Sequence, residues 1–131
     1  MSSLAAGEAA SPRRRSHSGH PFRLGVQQDG TTLYLRLTGM FDWRCVGRVE
    51  AALERFAEAQ TRRVVFDLRA LGSLDLAGLR TLLRANERAH AELFELIVVR
   101  PSGLVRRIFT LTSAGEELTL VDSVPGRNAA G

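Results

Sequence analysis

The sequence predicts an α/β fold: a mixed β-sheet of four to five strands packed against three main α-helices, in the order β-β-α-β-α-β-α-(β). Three observations predict it. Val64-Val65-Phe66-Asp67-Leu68 is too apolar for a half-exposed strand and suits one buried on both faces, as in the middle of a parallel sheet. Leu33, Leu35 and Leu37 alternate with Tyr34, Arg36 and Thr38 just after Asp29-Gly30, residues that tolerate a tight hairpin turn. Later strands alternate with stretches whose apolar residues recur every three or four positions, which calls for parallel neighbours joined by crossover helices.

In chain order, residues 1–21 hold Ala, Ser, Gly, Pro, His and Arg with almost no large apolar side chains, so a disordered basic leader is expected. The folded domain is expected over 22–123, with a flexible tail over 124–131. Leu24 and Val26 alternate into the hairpin. Asp42 then stands where a helix cap belongs, and Trp43, Val46, Val49, Leu53 and Phe56 line one helical face. Trp43 and Cys45 read as packing residues. After the central strand comes a brief loop to Asp75, whose carboxylate suits the orphan N–H groups of a helix start. Leu76, Leu79, Leu82, Leu83 and Ala89 form the stripe of this second helix, and His90 is placed to meet its terminal carbonyls. Phe94 to Val99 is another apolar strand. Ser102 is expected to cap a third helix with Leu104, Val105, Ile108 and Leu111 inward, ended by Gly115; Leu118 to Val121 is a short last strand.

Composition narrows the function. Apolar residues make up 44% and charged residues 24%, ordinary values for a globular domain with one core. No apolar run approaches the roughly 20 residues that span a bilayer, and the single cysteine, Cys45, fits a reducing compartment, so a cytoplasmic location is expected. Every basic residue is arginine, and the net charge is +4. From Arg23 to Asp122, fourteen arginines face thirteen acids, so the domain is near neutral and lacks the basic stripe of a nucleic-acid binder. Direct nucleic-acid contact is not expected. His17 and His20 have no Cys or carboxylate partners at ligand spacing, so no metal is expected. There is no Gly-rich phosphate loop and no serine on a sharp turn beside a histidine. Asp42 and Asp75 could stand close together at strand ends, but capping explains both more simply than an acid/base dyad.

Arg36-Leu37-Thr38-Gly39-Met40-Phe41-Asp42, Val65-Phe66-Asp67-Leu68 through Leu74-Asp75-Leu76-Ala77-Gly78-Leu79, and Val105-Arg106-Arg107-Ile108-Phe109 fall in an order and spacing that resembles the STAS domain. That family is shared by bacterial anti-sigma factor antagonists and the cytoplasmic ends of sulfate transporters. The resemblance covers about residues 23–122. It implies a non-enzymatic regulatory module that binds an anti-sigma factor or related kinase-like partner through the Asp75 helix start. The partner-binding or regulatory residues it points to are Asp42, Asp75, Leu76, Ala77, Gly78, Arg80 and Arg84, with no cofactor.

In the antagonists it resembles, a serine directly after the signature aspartate is phosphorylated by the partner kinase. Phosphate there would add roughly two negative charges to the docking surface. The matching position here is Leu76 and the next is Ala77, so no acceptor remains; the role is not carried over to Ser73. Arg80, Arg84 and Arg88 recur at four-residue steps. They are read as a solvated face or, more sharply, as a docking surface for an acidic partner. The alternative function is a STAS scaffold or sensor subunit that binds a nucleotide or lipid, or serves a transporter or signalling complex. Whether the chain forms a homodimer stays open at this level.

Overall fold

A seven-residue strand, Arg23–Asp29 (β1), pairs antiparallel with Thr32–Phe41 (β2) through a two-residue turn in which Gly30 takes a φ of 60°. A positive φ at the first central residue is what Gly supplies without steric cost. The computed structural model describes residues 20–57 and 60–126, and the side chains among them other than those of Phe56 and Ala57. The expected leader up to residue 19, the Phe56 side chain and the tail from residue 127 lie outside the described residues.

From β2 the chain passes through a 3₁₀ turn, Trp43–Cys45, into Val46–Ala57 (α1), then Arg63–Asp67 (β3), Leu71–Leu74 (β4), Leu76–Glu92 (α2), Glu95–Val99 (β5), Gly103–Leu111 (α3), Ala114–Glu117 (α4) and Leu120–Val121 (β6). The sheet order is β1-β2-β3-β5-β6, parallel from β2 onward, with β4 paired parallel to the far end of β2. The expected parallel pairing of the Val64 and Phe94 strands is present as β3 beside β5.

Register explains the core. Leu33, Val64 and Leu96 stand side by side across three strands, as do Leu35, Phe66 and Val98. These rows face Val49, Leu53, Leu79, Leu82, Ala85, Val105 and Phe109, so all the helices contribute to one apolar layer. On the opposite face Tyr34, Val65 and Val99 form a smaller cluster with Val121 and Val124 against it. The Tyr34 hydroxyl donates to the Pro125 carbonyl at 3.2 Å, so residues 124–126, expected to begin a tail, lie against the sheet.

Several expectations are corrected. The sheet has six strands rather than four to five, because the stretch expected as a loop before Asp75 contains β4. Gly72 and Ser73 are weak strand formers, and the pairing partner lies some thirty residues upstream, so local propensity hides the strand. Trp43 is not packed: it sits in the 3₁₀ turn ahead of α1 and is 70% exposed. Leu76 is 60% exposed and does not join the α2 stripe, because it is the first residue after the cap and precedes the face that turns inward.

The third helix is phased differently as well. Val105 and Phe109 are buried and Ile108 is half-buried, while Leu104 and Leu111 are exposed. Gly115 does not end α3; it lies inside α4, where a Cβ would stand 3.0 Å from the Phe109 carbonyl oxygen. Ser102 is the N-cap of α3 by position, but its hydroxyl donates to the Arg69 carbonyl instead of accepting from the helix. At the end of α2, His90 lies in the last turn as expected, and the helix closes on Leu93 in a left-handed conformation.

The phase of α3 is testable. Phe109→Ala should lower unfolding free energy by about 3–5 kcal/mol, the usual cost of emptying a buried aromatic site. Leu111→Ala should change it by less than about 0.5 kcal/mol. Urea denaturation of the two variants reads the difference, and a larger loss for Leu111→Ala than for Phe109→Ala would put the helix in the other phase.

Candidate functional site

Phe41 ends β2 and Leu74 ends β4, and the two are register partners in the parallel pair. Each is followed by a capping aspartate and then by an exposed large apolar residue: Phe41-Asp42-Trp43 and Leu74-Asp75-Leu76. Parallel strands that end side by side deliver both segments to one corner.

Asp75 ties that corner together. Its Oδ1 accepts from the Gly78 N–H at 2.8 Å, capping α2, and its Oδ2 accepts from the Trp43 N–H at 3.0 Å. Its own N–H donates to the Phe41 carbonyl at 3.2 Å. Both oxygens are therefore used, one within the helix and one across to a segment 32 residues earlier. The helix start is closely packed beneath: a Cβ on Gly78 would lie 2.8 Å from both Leu74 Cδ1 and the Phe41 carbonyl oxygen. Only glycine lets α2 come this near the strand ends.

Asp42 is nearly buried and looks inward to its own turn. Its Oδ1 accepts from the Arg44 N–H at 3.0 Å, and its Oδ2 accepts from the Arg44 guanidinium at 2.7 Å. Those Arg44 hydrogen bonds hold its carboxyl below the usual carboxylate range, against the opposing effect of burial. Asp42 and Asp75 therefore do lie at one corner, but each carboxylate is occupied by backbone N–H donors. Caps in this arrangement are poor proton-transfer groups.

The remaining sequence-predicted residues divide. Ala77 is half-buried, and its carbonyl accepts from the Thr81 hydroxyl at 2.8 Å. Arg84 pairs with Glu50 on α1 at 3.4 Å, and Arg88 with Glu54 at 2.5 Å and Glu92 at 2.9 Å. Arg80, one turn from Leu76, is exposed and makes no ion pair among the described residues. The arginine row is thus partly an interhelical ladder and partly open. Among the described residues, no cluster of three or more His, Cys, Asp or Glu side chains is placed to hold a metal ion, and no helix is long and apolar enough to cross a membrane.

Trp43 is the residue missed from sequence. A signal was available: it directly follows a capping aspartate, just as Leu76 does, and a first helical position seldom faces the core.

The family model described as "Mlab, STAS domain" matches residues 24–122, three quarters of the chain. The chain belongs to the STAS domain family. Among solved structures the STAS domain described here is similar to the anti-sigma factor antagonist SpoIIAA in its unphosphorylated form, with 18% identity, a TM-score of 0.63, and 84% of this chain and 96% of that chain covered. It is similar also to the Bacillus cell fate determinant SpoIIAA in its phosphorylated form, at 19% identity and a TM-score of 0.64, with 84% and 97% covered. An anti-sigma factor antagonist from Mycobacterium paratuberculosis matches at 19% identity and a TM-score of 0.68, with 84% and 93% covered. At these identities the likeness is one of fold. None of the curated proteins matches the chain.

Replacing Asp75 tests the tie. Asp75→Ala should lower unfolding free energy by about 1–2 kcal/mol for the lost cap alone, and Asp75→Asn, which keeps one acceptor oxygen, should lose less. Chemical denaturation measures both; an Ala variant as stable as the parent would mean that the two N–H groups find other partners.

The acidic limb of stability carries a second test. Burial raises the Asp67 carboxyl, but hydrogen bonds from Arg69, with the charges of Arg69 and Arg36, outweigh it and leave the carboxyl below its ordinary value. A folded-state value below the unfolded one, about 3.9, stabilises the fold above that pH and is lost as pH falls through the lower folded value. Stability should therefore fall steeply below about pH 4, and Asp42→Asn or Asp67→Asn should each flatten that limb in pH-dependent denaturation.

Proposed function

We propose that this STAS domain is a non-enzymatic regulatory binding module that docks an anti-sigma factor or related kinase-like partner at the Asp75 corner, without serine-phosphorylation control. One observation carries the reading. Trp43 and Leu76, 70% and 60% exposed, emerge from a corner whose backbone is held by the Asp42 and Asp75 carboxylates. Large apolar side chains on a rigid, hydrogen-bonded frame lose little freedom on binding, and tryptophan is enriched among residues that dominate interfaces. The similarity to anti-sigma factor antagonists supports a partner of that class. A location in the cytoplasm, where such a partner would be met, belongs to the same proposal.

At the position where a hydroxyl would receive phosphate, Leu76 offers only carbon. The corner then cannot gain the dianion that would repel or desolvate a docked partner. On this reading the domain binds constitutively, and regulation comes from the supply of partner rather than from modification of the helix start.

A second reading has one observation in its favour: the matched family model is described by Mlab rather than by an anti-sigma factor antagonist. On it the domain is a scaffold or sensor subunit of a transporter or signalling complex, binding a nucleotide or lipid. Affinity purification of the intact chain separates the two, with an anti-sigma kinase retained in the first case and a nucleotide or lipid in the second.

Trp43→Ala and Leu76→Asp should each weaken capture of the kinase-like partner by about 30-fold or more, as for residues at an interface centre, with the fold intact by circular dichroism. Mass spectrometry after incubation with that kinase and ATP should find no phosphate on residues 71–79 of the parent chain. Leu76→Ser should acquire it. Phosphate on the parent segment, or binding unchanged in both apolar variants, would refute the proposal.

A further inference from the structure

The two edges of the sheet are unlike. β6 is two residues long, whereas β1 runs for seven in unbroken register with β2. Within β1 there is no proline and no bulge, two of the devices that blunt an edge against pairing.

The hairpin decides which backbone groups face outward. A two-residue turn closes on a hydrogen-bonded pair, here Asp29 with Thr32. Alternate pairs running back from it, Gln27 with Tyr34, Gly25 with Arg36 and Arg23 with Thr38, are hydrogen-bonded as well. The N–H and C=O groups of Leu24, Val26 and Gln28 consequently point away from β2. Among the described residues β1 has no strand partner other than β2, so these six groups are left open.

Charge on this edge is polarised. Arg23 begins the strand, and Arg36 and Arg48 line the same open cavity of about 480 Å³ beside it. Asp29 ends the strand. None of Arg23, Arg36 and Arg48 forms an ion pair with a side chain among the described residues. At the centre stands Val26, which is 39% exposed.

We infer that β1 pairs antiparallel with β1 of a second copy of this chain, centred on Val26. In that register Val26 exchanges both backbone hydrogen bonds with the second copy's Val26, and Leu24 and Gln28 exchange theirs reciprocally, so all six open groups are satisfied. The closely spaced, non-hydrogen-bonded pairs are then Arg23 opposite the second copy's Asp29, and Gly25 opposite its Gln27. Both ends of the two-fold arrangement gain an ion pair. Other antiparallel registers leave some of the six groups without a partner strand and take Arg23 away from Asp29. The positive start of one strand meets the negative end of the other only here. The same strand is thus its own complement, as a two-fold interface requires.

Sedimentation velocity of the full chain over a range of concentrations tests the inference, and a concentration-dependent dimer is expected. Val26→Pro removes the two central interchain bonds while sparing the ladder to β2, because the Val26 N–H faces outward. It should leave a folded monomer by circular dichroism. Arg23→Asp and Asp29→Arg each turn two attractive pairs into repulsive ones and should weaken the dimer by about tenfold or more. The double variant R23D/D29R exchanges the charges and should recover self-association to within about threefold of the parent. A parent chain that is monomeric at every concentration, a dimer indifferent to Val26→Pro, or a double variant no better than the single ones would overturn the inference. So would amides of Leu24, Val26 and Gln28 protected from hydrogen exchange in the dilute monomer, since the edge would then be covered by the chain's own residues.

Discussion

A single carboxylate governs the geometry at the top of this sheet. Asp75 receives an N–H from its own helix and another from the 3₁₀ turn that follows β2, and its backbone N–H closes onto the end of the same strand. The two tasks call for two acceptor oxygens on a short stem. Serine has one oxygen, asparagine has one acceptor and an amide that repels an N–H, and glutamate would set both oxygens one bond too far out. Gly78 completes the arrangement by allowing α2 to sit against Phe41 and Leu74 without a side chain between them. A charged cap at the positive end of a 17-residue helix is also favoured by the helix dipole.

What the tie produces is a pair of exposed apolar residues with little conformational freedom in their backbones. Where the pattern apolar–Asp–apolar meets a helix start, at 41–43 and 74–76, the first residue is buried, the second caps and the third is exposed. A cap residue is extended and the residue after it begins the helix, so the side chains on either side of the aspartate leave in different directions. The corner gains its surface character from the same local rule that gives it rigidity. Leu76 sets the chemistry of the helix start: its exposed side chain offers carbon and no hydroxyl.

The parts legible in the sequence were those set by local chemistry. Capping by Asp42 and Asp75, the glycine in the hairpin turn and the paired apolar strands each follow from a few adjacent residues. The order of elements followed from them. What stayed hidden depended on partners distant in the chain. β4 contains Gly72 and Ser73 and exists because the end of β2 lies beside it. The phase of α3 could have buried Leu104 and Leu111 or Phe109, since both choices keep Val105 and Ile108 inward; packing against β4 selects the second. Tyr34 looked like the solvent side of its strand, and is covered because residues some ninety positions later return across it. Trp43 fits an apolar helical stripe by spacing, but its place directly after a cap turns it outward.

The arginine row shows how a pattern that is ambiguous in sequence becomes two different things in three dimensions. Arg84 meets Glu50 and Arg88 meets Glu54, each across 34 residues, so α1 and α2 run beside each other as a ladder with rungs every turn. Continuing by one turn places Val46 where the counterpart of Arg80 would stand. The ladder stops there because the next rung is apolar. Exposed pairs of this kind add little to stability, so Arg84 and Arg88 serve mainly to match one helix to the other. Arg80 makes no ion pair among the described residues and stands one helical turn from Leu76, on the same side of α2. A partner that covers Leu76 with apolar surface and brings a carboxylate one turn farther along the helix would satisfy both residues. On the proposed docking reading, Arg80 adds a charge to a surface whose exposed leucine and tryptophan offer only apolar contact.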